Sequence, residues 1–342
     1  MATQAKPTYK ISYLTTVGFT ADFGGRGFHL PVDMAVRDDG HIFVLSRSSP
    51  VATPGMRIVE TDLKHTFYGE FGGFGTDPGQ FSRPSALAIG PNNHLFVADD
   101  SLNRITEFDA KNEYVRHWGT TGDKPGQLSG PSGLAFNRDG HLLVVDHLNH
   151  RVQTFTMRGK YVSTLGEPGH RRSQFNLPWG IDVGIDGQVY VADWRNDRIQ
   201  RFAPDGEFID SHGGHGSADG KFNRPSDVAV GPDGHIYVAD WMNQRVQVFD
   251  TNWKFKTKLR GQATLSPWAT EYLDANQDEF RARQSFQPVI EVDTTDPHEV
   301  SARIESYFWD PVAVQVDEKG RLYVLETNRH RFQVYQSSVL SP

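Results

Sequence analysis

Side chains able to do chemistry occupy a few distinctive positions in this sequence. A histidine and two aspartates, His147, Asp33 and Asp227, are the predicted catalytic residues, because imidazole and carboxylate groups act as general acids and bases. Arginine forks bind anionic groups such as carboxylates, and tryptophans cover apolar surface. The predicted substrate-binding residues combine these properties: Arg83, Arg224, Trp179, Trp194, Trp241 and Asp100. This mixture predicts a concave site for an oriented, small polar ligand.

The histidines and acids are also predicted ligands of a divalent metal ion, zinc or calcium. Neutral imidazoles and carboxylates are suitable ligands for such ions. A bound ion would act as a Lewis acid, with Asp33 or Asp227 holding it or taking a proton and His147 serving as ligand or acid/base. The predicted metal set is His147, Asp33, Asp227 and His29.

These positions belong to a unit that recurs six times along the chain. Each copy has a proline, an apolar run, a turn of the Asp-Gly type, a second apolar run, an acid, and then Asn and Arg. The spacings between successive repeat prolines are 53, 47, 47, 47 and 86 residues. The prolines are Pro31, Pro84, Pro131, Pro178, Pro225 and Pro311. A constant spacing over three steps identifies a repeat protein.

Each unit predicts four short β-strands. Asp233-Gly234 between two apolar runs is a hairpin turn, and two further strands follow in each copy. Four strands in a period of about 45 residues are typical of a propeller blade. The sequence therefore predicts an all-β, six-bladed β-propeller that spans residues 9–336 as a single domain. Residues 10–18 are the predicted fourth strand of the last blade, which would close the ring.

Residues that recur from copy to copy are predicted to serve the blade itself. The recurring acids are expected to bond turn amides: Asp99, Asp146, Asp193 and Asp240. A structural role is also predicted for the histidines after the first hairpin turn: His41, His94, His141 and His235. The recurring arginines are expected to pair with the neighbouring blade: Arg151, Arg198 and Arg245.

Polar departures from the repeat identify the candidate site. The segment before each proline and the residue after each acid lie on one face of the ring, here called the top face. Asp33 and Asp227 stand two residues after their prolines, where other copies have Ala or Gly. Two interpretations stay open at this stage. The departing residues line a ligand site, or they serve the fold. In the second interpretation Arg83 and Arg224 pair around the rim with one of three aspartates, and Trp194 and Trp241 pack between blades four and five. The three aspartates are Asp33, Asp227 and Asp310.

A long insertion separates the fifth and sixth copies, between residues 261 and 307. It leaves and re-enters the ring on the top face, and Ser266-Pro267 and Asp296-Pro297 predict two helix starts. The insertion is interpreted as a lid over the channel, with a surface decoration or a dimer contact as the alternative. The extra residues 48–54 of the first copy are expected to rise on the same face.

Composition excludes several classes of protein. The 342 residues include no cysteine, which removes disulfides, thiolate metal sites and a cysteine nucleophile. No apolar run approaches the roughly 20 residues that span a bilayer, and the N-terminus lacks the apolar stretch of a secretory signal. We therefore expect a cytoplasmic protein without membrane partners. The net charge of −7 makes nucleic acid an unlikely partner.

The repeat unit resembles the NHL repeat. Its Asn-x-Arg pairs carry the resemblance: Asn149 and Arg151, Asn196 and Arg198, Asn243 and Arg245. Relatives with this repeat include protein-binding and RNA-binding propellers and, more distantly similar, the peptidyl-α-hydroxyglycine α-amidating lyases. The resemblance to those lyases implies a metal and a ligand in the channel of a six-bladed ring. In the lyases histidines lie near the first strands, whereas this chain has none directly after its repeat prolines.

Two functions are compatible with these observations. The first is a metal-assisted lyase or hydrolase that acts on a small polar substrate at the top mouth of the channel. The second is a non-catalytic propeller that binds a protein or peptide on its top face, with the tryptophans as anchors. A closed polar pocket favours the enzyme, and a flat, open top favours the binding protein.

Overall fold

A computed structural model describes residues 8–47, 53–285 and 294–340. Six four-stranded antiparallel sheets form the blades of a propeller around a central channel, as the sequence predicted. Within each sheet the strands follow chain order from the channel outward, except in the sixth blade, which takes its outermost strand from the N-terminus. The fold is all-β with a partly helical insertion.

The first three blades contain strands β2 to β13. Blade one consists of β2 (Pro31–Val36), β3 (Ile42–Ser46), β4 (Arg57–Thr61) and β5 (Phe67–Phe71). Blade two consists of β6 (Pro84–Ile89), β7 (Leu95–Asp99), β8 (Arg104–Phe108) and β9 (Tyr114–Trp118). Blade three consists of β10 (Pro131–Phe136), β11 (Leu142–Asp146), β12 (Arg151–Phe155) and β13 (Tyr161–Leu165). A two-residue parallel pair follows, β14 (Glu167–Pro168) with β15 (Gln174–Phe175).

The remaining strands complete the ring. Blade four consists of β16 (Ile181–Val183), β17 (Val189–Asp193), β18 (Arg198–Phe202) and β19 (Phe208–Gly213). Blade five consists of β20 (Pro225–Val230), β21 (Ile236–Asp240), β22 (Arg245–Phe249) and β23 (Phe255–Leu259). Blade six consists of β24 (Pro311–Val316), β25 (Arg321–Glu326), β26 (Arg331–Leu340) and β1 (Thr8–Gly18).

Strand β1 closes the ring. It pairs antiparallel with β26 over nearly its whole length, from Thr8 opposite Leu340 to Gly18 opposite Arg331. The two ends of the chain therefore share one sheet, and the edge of that sheet is covered. This confirms the predicted closure by the N-terminal strand.

A β-bulge follows the first proline of five blades and sets the direction of the next side chain. In blade one the register shifts between Pro31 and Asp33, and blades two, three, five and six shift at the same place. Proline fits the first residue of a strand because it has no N–H to donate, and a bulge re-aims the side chain beside it. The bulges bring the residues after the prolines to the channel.

Apolar side chains of neighbouring blades bury one another. One cluster joins Met34 and Val44 of blade one to Leu325 of blade six, and another joins Phe96 of blade two to Val144 of blade three. Burial of apolar area contributes about 25 cal/mol per Å², so these contacts between blades supply most of the stabilisation of the ring. The blades are layers of one core, which is why the chain needs all of them.

The repeat acids serve the blade, as predicted. Asp146 accepts bonds from the amide of Ser129 at 2.6 Å, from Asn149 at 2.9 Å and from Arg151 at 2.7 Å. The prediction for the arginines was wrong, because Arg151 pairs with the acid of its own blade. The rest of its guanidinium donates to carbonyls of the loop that enters the blade, including that of Asp123 at 2.7 Å. The histidines after the first hairpin turn lie on the bottom face, opposite the top face. Two of them pair with a carboxylate on the adjacent strand, His41 with Glu60 and His94 with Glu107, and His235 pairs with Asp233 of its own turn.

A second set of bonds links each blade to the next. The last residue of the turn between the second and third strands has a positive φ of 50–55° in blades two to six. Its side chain accepts a hydrogen bond from the amide before the next repeat proline. The acceptors and donors are Asn103 with Gly130, His150 with Leu177, Asp197 with Arg224, Gln244 with Asp310, and His330 with Leu30. We call these five bonds the interblade clasps.

The insertion contains helices α1 (Pro267–Ala275), α2 (Gln277–Ser285) and α3 (Pro297–Arg303). Both predicted starts are confirmed, with Ser266 and Asp296 as N-caps. Trp268 of α1 is buried with the core between blades six and one, and its indole donates to the His65 carbonyl at 2.8 Å. Helix α1 therefore lies at the perimeter of the ring. None of the described helices is long and apolar enough to cross a membrane.

Only α3 borders the channel mouth. It contacts the turn Trp241–Asn243, and its His298 lies 3.4 Å from the Asp310 carboxylate. Among the described residues, no side chain of α1, α2 or α3 lines the mouth cavity. The described helices thus do not form the lid expected from the sequence. Residues 286–293 of the insertion and 48–52 of the extra segment in blade one lie outside the described residues.

Candidate functional site

A cavity of about 280 Å³ opens at the top mouth of the channel. Its walls combine three indoles and several aliphatic side chains with a few polar groups, which is the composition of a small-molecule site. The walls are formed by Leu30, Val32, Arg47, Ser85, Trp179, Trp194, Ser226, Trp241, Asp310, Val312 and Thr327. The structure therefore brings the three predicted tryptophans together in one wall.

The tryptophans form a continuous arc across blades four and five. Trp194 and Trp241 each begin the short 3-10 turn after the second strand of their blade, so the repeat places them one blade apart. The ring centroids of Trp179 and Trp194 lie 6.2 Å apart, and those of Trp194 and Trp241 lie 6.3 Å apart. All three are half-buried and face the cavity. They pack on one another and remain open to a ligand, so both sequence interpretations hold in part.

His147 stands beside this arc. Its ring meets that of Trp179 edge to face with centroids 4.8 Å apart, and its Nδ1 lies 2.9 Å from the Pro178 carbonyl. A carbonyl only accepts, so Nδ1 carries the proton and Nε2 carries the lone pair. Burial lowers the pKa of His147, opposed by the bond to Pro178. The side chain is thus a neutral base at neutral pH, with its tautomer set by the next blade.

Other residues at the position of His147 make the same contact. Arg47 donates from Nε to the Pro84 carbonyl at 3.1 Å, and Thr327 donates from its hydroxyl to the Pro31 carbonyl at 2.8 Å. In blades one, three and six, the side chain at this position therefore bonds its blade to the next one. Only the histidine also offers a second nitrogen for proton transfer.

Below the cavity the channel narrows to a neck made by the residues that follow the six repeat prolines. They are Val32, Ser85, Ser132, Trp179, Ser226 and Val312. The serine hydroxyls donate to carbonyls of the next blade, as Ser85 does to Pro131 at 2.6 Å and Ser132 to Trp179 at 3.0 Å. The space beneath has about 20 Å³, enough for a single water molecule.

Asp33 and Asp227 line this lower space. They therefore stand below the mouth, where a substrate does not fit. Asp33 accepts bonds from its neighbour Met34 at 2.8 Å and from Leu87 of the next blade at 2.6 Å. Asp227 accepts from the amide of Val314 of the next blade at 2.9 Å. Both carboxylates tie neighbouring blades together at the channel.

A third carboxylate in the channel was missed by sequence reasoning. Asp182 accepts a hydrogen bond from the amide of Val230 at 2.7 Å, and its charge raises the pKa of Asp227. It stands four residues after its proline, where blades one, two, three and five have alanine. A charge at an alanine position of the repeat was the available signal.

Among the described residues, no lysine, arginine or histidine forms an ion pair with these three acids, so only backbone donors oppose the effect of burial on their pKa values. Burial raises the pKa of Asp33 to about 7 and that of Asp182 to about 6, against the opposing effect of their backbone donors. Burial and the nearby charge of Asp33 raise the pKa of Asp227 well above its usual range. These carboxyl groups thus keep their protons up to higher pH values than exposed aspartates do.

The predicted substrate-binding arginines do not line the cavity. Arg83 is mostly exposed and its Nε lies 3.3 Å from Asp100, which also pairs with Arg47 at 3.2 Å. The guanidinium of Arg224 stacks over the ring of Trp194 at 4.8 Å. Arg83 and Asp100 therefore form an ion pair at the rim, and the partner of Arg83 is none of the three aspartates that the sequence alternative named. Arg47, Asp310 and Thr327 take wall positions that the site prediction omitted.

The predicted metal ligands are not assembled. His29 lies 2.7 Å from Asp22 through Nδ1 and stacks on His330, away from the acids of the channel. His147 already uses Nδ1 on Pro178. In the three described ranges, no three His, Asp or Glu side chains form a group able to hold a metal ion. A metal ion therefore has no set of ligands at this mouth among the described residues.

Comparison with known proteins agrees with the repeat and the fold. The NHL repeat matches residues 128–155, 175–202 and 222–249, which lie in blades three, four and five with their entering loops. No curated protein matches the chain in sequence.

Solved structures with a similar fold include a streptogramin B lyase and a virginiamycin B lyase. A streptogramin B lyase is 13% identical with a TM-score of 0.56, covering 96% of this chain and 98% of its own. A catalytically inactive virginiamycin B lyase from Staphylococcus aureus with quinupristin is 12% identical with a TM-score of 0.57, covering 96% and 99%. A protein of unknown function from Bacteroides thetaiotaomicron is 14% identical with a TM-score of 0.60, covering 97% and 77%. At these identities the likeness extends to the fold alone.

Proposed function

The chain is a six-bladed β-propeller that carries NHL repeats, and we propose that it is an enzyme of the lyase or hydrolase class acting on a small amphipathic molecule. The substrate lies in the mouth cavity against the tryptophan arc. His147 is the general base. The single observation that carries the proposal is the cavity of about 280 Å³ lined by three indoles next to this neutral imidazole.

The shape and lining of the cavity support a small ligand. Sites for small molecules are concave and mostly apolar with a few oriented polar groups, and this cavity adds Arg47, Asp310 and Thr327 to its apolar walls. The narrow neck below stops a ligand from passing down the channel. A ligand therefore stays in the cavity, where Trp179 is a wall residue and contacts the ring of His147, whose own side chain is not part of the wall.

The tautomer of His147 supports a role as base. Because Nδ1 donates to Pro178, the lone pair on Nε2 is available for a proton. In an elimination, Nε2 takes a proton from carbon, the C–H electron pair forms a double bond, and the leaving group departs with its own pair. In a hydrolysis, Nε2 takes the proton of the attacking water. The lyases among the structural neighbours favour elimination as the first reaction to test.

A direct test begins with a panel of small lactones, esters and carbonyl compounds with a leaving group at the β-carbon. Double-bond formation is followed by ultraviolet absorbance and ester cleavage by acid release. Replacement of the base by His147→Gln should lower kcat by about 100-fold or more while changing substrate affinity little. His235→Gln, on the bottom face, is the matched control and should leave kcat unchanged. Equal kcat in both variants would exclude His147 as the base.

A second function has its own supporting observation. Leu148 and Met242 occupy one repeat position beside the mouth and are 55% and 37% exposed. Exposed apolar side chains around a pocket are typical of surfaces that bind peptides. In this alternative the tryptophan arc receives a side chain of a protein partner. A Leu148→Ser, Met242→Ser variant should lose such a partner and keep turnover of a small substrate, which separates the two functions.

A further inference from the structure

One wall residue of the mouth cavity, Asp310, carries a negative charge without an ionic partner. Its carboxylate accepts hydrogen bonds from two neutral amides, Gln244 Nε2 at 3.1 Å and Asn328 Nδ2. Neutral donors orient a carboxylate and leave its charge in place. Among the described residues, no lysine or arginine forms an ion pair with it. The side chain is only 14% exposed, so water compensates little of the charge.

The nearby histidine does not neutralise Asp310. His298 Nε2 lies 3.4 Å from the carboxylate, but the same nitrogen accepts the indole N–H of Trp309 at 3.0 Å. An indole nitrogen only donates, so Nε2 of His298 carries a lone pair and no proton. The contact between His298 and Asp310 is therefore not an ion pair, and the cavity keeps one uncompensated negative charge.

The aromatic wall next to Asp310 is suited to a cation. Trp241 and Asp310 are joined through one side chain, since Gln244 Nε2 donates to the Trp241 carbonyl at 2.6 Å and to Asp310. The indole face attracts cations more strongly than other aromatic rings. Trp194 already holds the Arg224 guanidinium at 4.8 Å, whereas no described cation lies over Trp241. The indole face of Trp241, which lines the same cavity as Asp310, is thus left without a cation from the described part of the protein.

The one cationic side chain in the wall is already paired. Arg47 lies 3.2 Å from the Asp100 carboxylate, which it shares with the mostly exposed Arg83, and it donates to the Pro84 carbonyl, so it already has a carboxylate partner within the protein. A ligand anion at Arg47 would compete with Asp100. A ligand cation at Asp310 has no competitor.

We propose that the mouth cavity binds an organic cation, an amphipathic amine or quaternary ammonium compound. Its charged nitrogen lies between Asp310 and the face of Trp241, and its apolar part lies against Trp194 and Trp179. This inference rests on the proposed small-molecule site and specifies the class of its ligand. It replaces the anionic group that the sequence had assigned to Arg83 and Arg224.

The test uses three probes of one shape and different charge. The full chain is titrated by calorimetry with 2-phenylethylamine, 2-phenylethanol and phenylacetate, up to about 10 mM, a range suited to ligands of this size. The amine should bind about tenfold more tightly than the alcohol, because a carboxylate and an indole both stabilise the cation. The acid should bind most weakly. If the alcohol or the acid binds as tightly as the amine, the cation inference is wrong while the site remains.

Variants assign the preference to its residues. Asp310→Asn keeps the shape of the side chain and should weaken amine binding about tenfold with little change for the alcohol. Trp241→Leu should weaken the amine by a further several-fold. Asp233→Asn on the bottom face removes the same charge far from the cavity and should change neither affinity. A thermal unfolding curve checks that each variant is folded. Binding of none of the three probes would contradict both the inference and the small-molecule site.

Discussion

The fully buried repeat acids and the half-buried channel acids of this propeller differ in what compensates their charge. The repeat acids of blades three, four and five each accept hydrogen bonds from an arginine, an asparagine and a glutamine side chain. Asp240, for example, accepts from Arg245 at 2.7 Å and from Asn243. The channel acids receive only backbone amides from their own and the next blade, as Asp33 does from Met34 and Leu87. Burial raises the pKa of Asp240 as it raises that of Asp33, but an arginine opposes the rise at Asp240, whereas only backbone amides oppose it at Asp33.

This difference separates scaffold from site better than residue type does. In blades three to six the repeat acid pairs with an arginine of its own blade, and none of these four acids lines the cavity or the lower channel. Asp33, Asp227 and Asp310, which line the lower channel or the mouth cavity, depart from the repeat and form no ion pair with an arginine among the described residues. In blades three to six an arginine partner therefore distinguishes the repeat acid from the channel acids, whereas the repeat acid of blade two, Asp99, accepts its hydrogen bonds from backbone amides.

Removing the arginine from a repeat acid should have the largest effect. Arg245→Leu leaves Asp240, which is fully buried, with an unpaired charge, and should lower the free energy of unfolding by about 3–5 kcal/mol. Urea unfolding at pH 7 measures the loss. The double variant with Asp240→Asn should recover part of it because no charge remains buried. A loss below about 1 kcal/mol for the single variant would show that the arginine does not compensate the acid.

Replacing a channel acid should change stability in a direction that depends on pH. The pKa of Asp33 is about 7 in the folded protein and about 4 in the unfolded chain, so the folded state binds more protons between these values. Its contribution to stability is present at low pH and is lost as pH rises from about 4 through about 7. Asp33→Asn should remove this slope, on the order of 2 kcal/mol after allowance for water in the channel.

Unfolding in urea at pH 5 and at pH 8 measures the slope of Asp33. The free energy of unfolding of Asp33→Asn, relative to that of the unmodified protein at the same pH, should be higher at pH 8 than at pH 5. Ser85→Ala, an uncharged change in the neck just above, is the control and should shift both values equally. Parallel pH profiles of Asp33→Asn and the unmodified protein would mean that Asp33 is ionised throughout.

The clasp at His330 should show the opposite pH dependence. Its Nδ1 accepts the Leu30 amide at 3.0 Å, and burial, together with the charge of His29, lowers its pKa to about 4. The unfolded chain, with a histidine pKa of about 6.5, binds more protons between these values, so stability falls as pH falls from about 6.5 to about 4. His330→Asn supplies the acceptor used by Asn103 in blade two and should remove roughly 1–2 kcal/mol of this slope. His215→Asn, at an exposed histidine, should leave the slope intact; equal slopes in both variants would contradict the assignment.

Much of the fold was predictable from the sequence because each copy of the repeat folds into a blade for the same physical reasons. Proline, hairpin turn and acid recur with the blade, and the strand at 10–18 had no other sheet to join, so blade number and closure followed. The insertion was less predictable. Trp268 is an apolar residue on a short helix, and only the neighbouring blades decide whether it covers the mouth or, as found, fills the groove between blades six and one.

The site was predictable in part for the same reason. The repeat placed Trp194 and Trp241 on one face and one blade apart, and it placed His147 beside them. Depth along the channel was not encoded by the repeat position alone, because the bulge after each proline decides which side chain reaches the axis. Asp33 and Asp227 consequently lie below the neck, and partners across blades, such as Asp100 for Arg47, became evident only in three dimensions.

The smallest effect is expected for the arginine pair on the rim. The Nε of Arg83 lies 3.3 Å from the Asp100 carboxylate, compared with 2.7 Å between Arg245 and Asp240, and the side chain of Arg83 is 60% exposed. Water compensates an exposed charge, and Asp100 keeps Arg47 as a partner, so Arg83→Ala should change the free energy of unfolding by at most about 0.5 kcal/mol. Urea unfolding at pH 7, run beside Arg245→Leu, measures the contrast. A loss above about 1.5 kcal/mol would make the rim pair equivalent to a repeat pair, and the degree of exposure would then no longer separate the two kinds of arginine.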